Sequence, residues 1–254
     1  MDFRLLEGER LDDLVRDGMR IIQHPDQFCF SIDSILLAHF VRIKKKDRIL
    51  DLGTGTAVIP LLLTAWGADH ITAIEKNPMT ADMAARSVAG NHKSKEIHVI
   101  EADYCQIKTV FPAGGCFTSV VANPPYRDIG RGALNKAAGV SDACHELTAT
   151  LADVFAAAQY TLMYGGRLTM VHRADRFGDL LWQGRQHNME MKRARFVHSH
   201  RMDIASRVLA EWRYGGRPGV QVEAPLIIHE NDGTYTPEVM EIYGKNDKAE
   251  SVIC

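Results

Sequence analysis

The sequence predicts an α/β fold built as a doubly wound parallel sheet, on three observations. Short β-branched runs recur at residues 48–52, 71–75, 97–100 and 119–122. Segments with the apolar spacing of amphipathic helices lie between them, at 57–65 and 78–91. Turn-forming residues punctuate the runs: Gly53 and Gly55 after the first, Pro124 and Pro125 after the fourth. Strands separated by helices need crossover connections, and crossovers leave neighbouring strands parallel.

Taken in order, ERLDDL and MRIIQ pair as a small hairpin ahead of the first parallel strand. FSIDSILLAHFV, with Asp33 or Ser31 as N-cap, reads as a helix that packs Ile35, Leu36, Phe40 and Val41 inward. The lysines that follow sit where cations favour a helix C-terminus. Beyond the fourth strand, 148–164 reads as a long helix closed by Gly165 and Gly166. Strand 167–172, helix 176–186, strands 192–197 and 206–214, and a short last strand at 225–228 complete the chain. Residues 1–254 are expected to form one domain: an N-terminal hairpin and helix (1–46), a core of alternating strands and helices (47–172), and a helix with strands that complete the sheet (173–254).

A chain of 254 residues with 46% hydrophobic and 24% charged residues can bury a sizeable core. No apolar run approaches membrane-span length, and the acidic, polar start MDFRLLEGERLDDL lacks the basic-then-apolar order of a signal peptide. A cytoplasmic location is expected. The five cysteines form no CxxC pair, so reduced thiols are expected and neither a disulfide framework nor a required metal. A net charge of −2 gives no overall attraction to nucleic acid. Locally, residues 173–217 carry ten Lys/Arg against five Asp/Glu, either a solvated surface or a face that grips phosphates.

Asp51-Leu-Gly53-Thr54-Gly55-Thr, between the first strand and its helix, is the first chemical motif. Its glycines let the backbone turn sharply and approach a ligand, and its carboxylate can take a cationic amine or hydroxyl. Glu75, 20 residues after Gly55, ends the second strand where a carboxylate can accept both hydroxyls of a ribose. A dinucleotide fingerprint needs a third glycine at position 58, where this chain has Val58. A nucleoside ligand without phosphates therefore fits better, and S-adenosylmethionine is the common one. Asp103, after the third strand, can then bond the adenine amine or stand as an exposed loop acid.

The fourth strand runs into Asn123-Pro124-Pro125-Tyr126. Two prolines cannot donate to a ladder and hold the backbone extended, so the strand stops at Asn123 in a rigid bracket. DLGTGT, acids ending strands two and three, and NPPY ending strand four resemble the class I S-adenosylmethionine-dependent methyltransferases that modify amino groups on planar carbon. Within that group the chain is similar to the tRNA valine adenine-N6 methyltransferase family along nearly its whole length, including GGRLTMVHRADRF and PLIIHENDGTYTPEVMEIYGK.

The resemblance implies a Rossmann-like, seven-stranded, mostly parallel sheet with one antiparallel strand, and S-adenosylmethionine as cofactor. It implies Asp33, Asp51, Gly53, Thr54, Gly55, Glu75, Lys76, Asp103 and Asn123 as cofactor-binding residues, and Asn123, Pro124, Pro125 and Tyr126 as catalytic. The implied substrate is tRNA, at N6 of the adenine immediately 3′ of the anticodon, with no obligate protein partner. An amine conjugated to a ring is a poor nucleophile. Acceptors at the Asn123 side chain and the Pro124 carbonyl would draw it toward tetrahedral geometry and aim its lone pair, so positioning and fixed dipoles carry the rate. Tyr126 would stack on the base, a contact worth about 1–3 kcal/mol. An adenine in a duplex would first have to be flipped out, whereas an anticodon-loop adenine is largely accessible.

Departures bear on the acceptor. Cys144-His145-Glu146 falls where relatives tend to show Arg before His-Glu, and the residues after Tyr126 lack a frequent aromatic. The rivals are a ribosomal RNA guanine amine, a DNA adenine, a glutamine amide of a release factor, and a catalytically inactive RNA-binding protein. The release-factor family normally carries a helical domain before its glycine loop, and only 50 residues precede Asp51. Intact Asp51, Glu75 and Asn123 speak against an inactive protein. His198 and His200 with Asp203 read as surface or RNA-facing residues rather than metal ligands.

Overall fold

In a computed structural model that describes residues 3–14, 16–27, 29–125 and 150–244, alternate residues of each central strand enter different cores. Ile49, Ala73 and Val121 belong to one buried cluster, while Leu50, Ile74 and Val120 belong to the other. Both faces are therefore covered, as the apolar character of the parallel strands requires.

In chain order the strands are β1 (Arg10–Asp13), β2 (Arg20–Gln23), β3 (Ile49–Leu52), β4 (Ile71–Glu75), β5 (Ile97–Glu101), β6 (Phe117–Ala122), β7 (Leu162–Arg173), β8 (Met189–His198), β9 (Ala205–Tyr214), β10 (Gln221–Val222) and β11 (Leu226–Ile227). The helices are α1 (Ile32–Phe40), α2 (Val58–Ala65), α3 (Pro78–Gly90), α4 (Ile107–Val110), α5 (Leu151–Thr161), α6 (Phe177–Gln186) and α7 (Pro237–Ile242). Seven long strands order as β8-β9-β7-β6-β3-β4-β5, and the two-residue β10 and β11 add to β8 at the edge. β9 runs antiparallel to both its neighbours, and the remaining pairings of this sheet are parallel. The expected seven-stranded, mostly parallel sheet is thus present.

The hairpin and first helix also form as read. β1 and β2 pair antiparallel, and α1 buries Ile35, Leu36, Phe40 and Val41. Ser31 occupies the N-cap position without a side-chain cap bond, and Asp33 lies inside the first turn. β2 is stitched to α3: Ile22 N donates to Ser87 Oγ at 2.9 Å, and Asn91 Oδ1 accepts from Arg20 N at 3.0 Å. Ile22 and Ser87 are fully buried, so no water can replace a lost hydroxyl. Ser87→Ala is expected to cost about 1–3 kcal/mol, read as a lower denaturant midpoint at unchanged slope.

Two local expectations are corrected. The long helix does not run to a Gly165-Gly166 stop. It begins at a Thr150–Asp153 capping box and ends at Thr161, and both glycines lie within β7. Thr161 turns its hydroxyl back onto the Ala157 carbonyl at 2.7 Å, and Leu162 is already extended. Gly165 has φ +80°, and a Cβ on Gly166 would lie 2.8 Å from the Met163 carbonyl oxygen. The glycines serve a kinked strand entry rather than a helix end. Secondly, α2 starts at Val58, because Ala57 is left-handed at φ 73°.

Candidate active site

Strand order reverses between β3 and β6, and in doubly wound sheets the crevice at the carboxyl ends of such strands takes the ligand. Leu52 is level with Ile74 and Ala122, and Glu75 with Glu101. The four strand ends therefore deliver Gly53, Glu75, Asp103 and Asn123 to one rim. Backbone bonds tie the rim together: Thr54 N donates to the Ile74 carbonyl and Ala102 N to the Glu75 carbonyl, each at 2.9 Å.

The glycine loop needs its glycines. Gly53 and Gly55 hold φ +71° and +58°, where a Cβ is unfavourable. A Cβ on Gly53 would meet Tyr104 Cε1 at 3.6 Å, an ordinary contact, so backbone strain rather than collision sets the penalty. Gly53→Ala is expected to lower the melting temperature by the equivalent of about 1–2 kcal/mol. Tyr104 is the buried ring below the loop, and burial holds its hydroxyl well above the ordinary range, hence neutral.

Glu75 is clamped by the backbone. Its Oε2 accepts from Gly55 N at 3.0 Å and its Oε1 from Asn77 N at 2.9 Å. Asn77 in turn caps α3 and donates to Gln27 Oε1 at 3.3 Å, which brings the loop after β2 to the rim. Asp51 lies beneath the loop with no exposed surface. Neither of its carboxylate oxygens, nor the Thr54 hydroxyl, has a well-aligned hydrogen-bond partner among the described residues. Burial pushes the Asp51 carboxyl up to about 7, opposed by the nearby Thr54 hydroxyl and reinforced by the charge of Glu75. A buried acid left this way suits a cationic ligand above it.

Asn123 is half-buried and Pro124 buried at the end of β6, while Pro125 is exposed. Asn123 Nδ2 donates to Ser34 Oγ at 3.1 Å, which ties the amide to the first turn of α1. Next to Ser34, Asp33 accepts from Arg207 Nε at 3.0 Å, which moors the start of α1 to β9. Asp33 therefore engages an arginine as well as lying beside the bracket. Asp103 caps a short turn, accepting from Cys105 N at 2.8 Å. Burial and the adjacent Asp103 push the Cys105 thiol up to about 11, so it is no thiolate nucleophile near neutrality. Lys76 is exposed beside Glu75. Tyr126, the residues just after it, and Cys144-His145-Glu146 lie outside the described residues.

His198 and His200 close a turn: His200 Nδ1 meets the Asp203 carboxylate at 3.1 Å, and His198 Nδ1 the Asp203 carbonyl at 2.7 Å. Among the described residues no three His, Cys, Asp or Glu side chains converge as metal ligands, and no helix is long and apolar enough to cross a membrane. Sequence reasoning missed Arg207 and Tyr104. Arg207 is separated from Asp33 by 174 positions, and no local pattern announces such a pair.

The profile of the methyltransferase small domain family matches residues 19–179, well over half the chain. The chain belongs to this family.

The chain is 32% identical over 105 residues to a tRNA1(Val) (adenine(37)-N6)-methyltransferase of a Flavobacteriaceae bacterium, covering 41% of this chain and 44% of that one. A protein of the same name from Photobacterium profundum is 23% identical over 215 residues, 84% of this chain and 88% of its own. The chain thus spans less than half of the first relative and most of the second. The release factor glutamine methyltransferase of Escherichia coli is 39% identical over 110 residues, 42% of this chain and 36% of its own. Among solved structures, one described as a predicted O-methyltransferase from Agrobacterium tumefaciens superposes with TM-score 0.64 at 24% identity. The match covers 84% of this chain and 95% of the other, a likeness of fold.

Proposed function

We propose that this methyltransferase uses S-adenosylmethionine to methylate the exocyclic N6 of adenine in tRNA, at the adenine 3′ of the anticodon in a valine-type tRNA. The observation that carries the reading is the oriented Asn123 amide, held by Ser34 at the end of β6 and followed by two prolines. The buried Asp51 carboxylate, with no well-aligned hydrogen-bond partner among the described residues, lies two strand-end positions away across the switch point. The names of the tRNA-modifying relatives support the choice of acceptor.

When bound, S-adenosylmethionine supplies an electrophilic methyl group on a sulfonium. Glu75, clamped by Gly55 N and Asn77 N, would accept the ribose hydroxyls. Asp51 would meet the cationic end through its charge and Thr54 through its hydroxyl, with Gly53 and Gly55 admitting close backbone approach. Asp33 and Lys76 border this end, and Asp103 the adenine side. Asn123 Oδ1 and the Pro124 carbonyl accept the two hydrogens of the target amine, so its lone pair turns out of the ring plane. No strong base is required, because the nitrogen becomes acidic only after transfer. Tyr126 is assigned the stacking contact to the base.

The 39% identical release-factor relative supports one other reading, a glutamine amide as acceptor, since both acceptors present a conjugated NH₂. To separate them, labelled S-adenosylmethionine is offered with total tRNA from a strain lacking the gene, and separately with release factors. Label in N6-methyladenosine is the expected result, and label in glutamine replaces the reading.

A further inference from the structure

At the opposite end of the sheet from the rim lies a cavity of about 270 Å³ lined by Arg42, Arg167, Lys192, Arg193 and Arg213, with Glu211 and Gln221. Arg167 is level with Ser119 at the start of β6. At about 3.3 Å per residue, that places Arg167 some 13 Å along the strand from Asn123, while Glu211, level through Thr169 with Val121, lies about 7 Å along. Two of the cations are built into the floor. Arg167 is buried and bonds Asp47 Oδ2 at 2.6 Å and the Arg42 carbonyl at 3.1 Å. Arg193, also buried, bonds Glu211 at 3.1 Å and Glu223 at 2.8 Å while its guanidinium lies 4.0 Å from the centre of the Phe40 ring.

The rim is different. Among the described residues Arg42 pairs with Glu223 alone, at 3.8 Å, and Lys192 donates to the Arg217 carbonyl at 3.0 Å. Arg213 is exposed, and neither it nor Lys192 has a carboxylate partner among the described residues. Five cations thus face three carboxylates, Asp47, Glu211 and Glu223, all of which already pair with the floor arginines. Elsewhere in the basic stretch Arg173, Arg176, Arg185, Arg195 and Arg207 each pair with an acid, while Arg201 and Arg217 have no ion pair among the described residues. Uncompensated like charges around a concave, strand-built wall repel one another, and an anion entering relieves that repulsion. Guanidinium forks suit tetrahedral oxyanions.

We propose that this cavity is a phosphate-binding site, separate from the methyl-transfer centre. The phosphate belongs either to a polynucleotide backbone or to a free nucleotide or inorganic anion. Inorganic pyrophosphate, titrated by calorimetry at ionic strength held constant with chloride, is the probe. Saturable binding is expected, weakened at least tenfold in a Lys192→Ala/Arg213→Ala double variant. In chloride alone that variant should melt no lower than the parent, since it removes repulsion; should it melt lower, Arg42→Ala serves instead, with the same expected loss. Absence of saturable binding by the parent, or undiminished binding by the variant, overturns the site. A parallel tRNA titration assigns the source. tRNA that displaces pyrophosphate and binds the variant less tightly contributes a backbone phosphate, whereas unchanged tRNA affinity with retained pyrophosphate binding identifies a small-anion site. This test needs no methyl transfer, so it stands or falls independently of the acceptor.

Discussion

Asn123→Ala is expected to reduce methyl transfer by about 10²–10³ in kcat while leaving S-adenosylmethionine affinity nearly unchanged. Removing one preorganised polar group aimed at a developing charge has that magnitude. The split follows from geometry. Asn123 closes β6 and its amide is oriented by Ser34, whereas the clamped Glu75 and buried Asp51 belong to β4 and β3. Asn123→Asp keeps an acceptor at the same place and should retain more activity than the alanine variant. Ser34→Ala removes this hydrogen bond to the amide, and a loss of about tenfold is expected. Single-turnover kinetics with a parallel binding titration separate the two quantities. A large loss of cofactor affinity in Asn123→Ala would reassign the residue to cofactor binding alone.

The second large effect concerns Asp51, whose carboxyl is pushed up to about 7 from an ordinary 3.8. Because the folded value is raised, the protonated acid favours the fold, fully so below about pH 4. That contribution is lost as pH rises from about 4 through 7, and amounts to a few kcal/mol at about 1.4 kcal/mol per unit. Above pH 7 the ligand-free protein carries a buried charge with no well-aligned partner. Asp51→Asn removes that charge. At pH 8 the ligand-free variant is expected to melt higher than the parent and to show a flatter stability profile between pH 4 and 7.

Function should move the other way. A cationic cofactor end favours ionised Asp51, so parental affinity for S-adenosylmethionine should rise with pH, by up to tenfold per unit, until it levels above pH 7. Asp51→Asn should bind at least tenfold more weakly at pH 8 and lose the slope. Together these outcomes describe a carboxylate kept at a cost to stability for binding. Affinity independent of pH in the parent would remove Asp51 from the cofactor's electrostatics.

What could be read from the sequence was what the local chain dictates. Gly53, Gly55 and the prolines after Asn123 impose backbone geometry by themselves, and Glu75 follows from its distance to the loop and its place at a strand end. β-branched runs with alternating faces gave the parallel sheet. Contacts between remote residues were hidden: Asp33 with Arg207, Asp47 with Arg167, and Asn123 with Ser34, separated by 174, 120 and 89 positions. The stretch 173–217 looked like a basic face because three of its neutralising acids, Asp33, Glu223 and Glu238, come from elsewhere in the chain. The glycine pair misled for a different reason. Gly165-Gly166 has the composition of a helix stop, yet buried Leu162 commits the chain to β7 three residues earlier.

The most direct test of methyl transfer to an anticodon-loop adenine is the location of the label. Valine tRNA from a strain lacking the gene is treated with the protein and isotopically labelled S-adenosylmethionine, cut with a base-specific ribonuclease, and its fragments are weighed and sequenced by mass spectrometry. The predicted result is a single labelled N6-methyladenosine immediately 3′ of the anticodon, absent with Asn123→Ala. Label on another nucleoside or position, or none in tRNA while a protein glutamine becomes labelled, would contradict it.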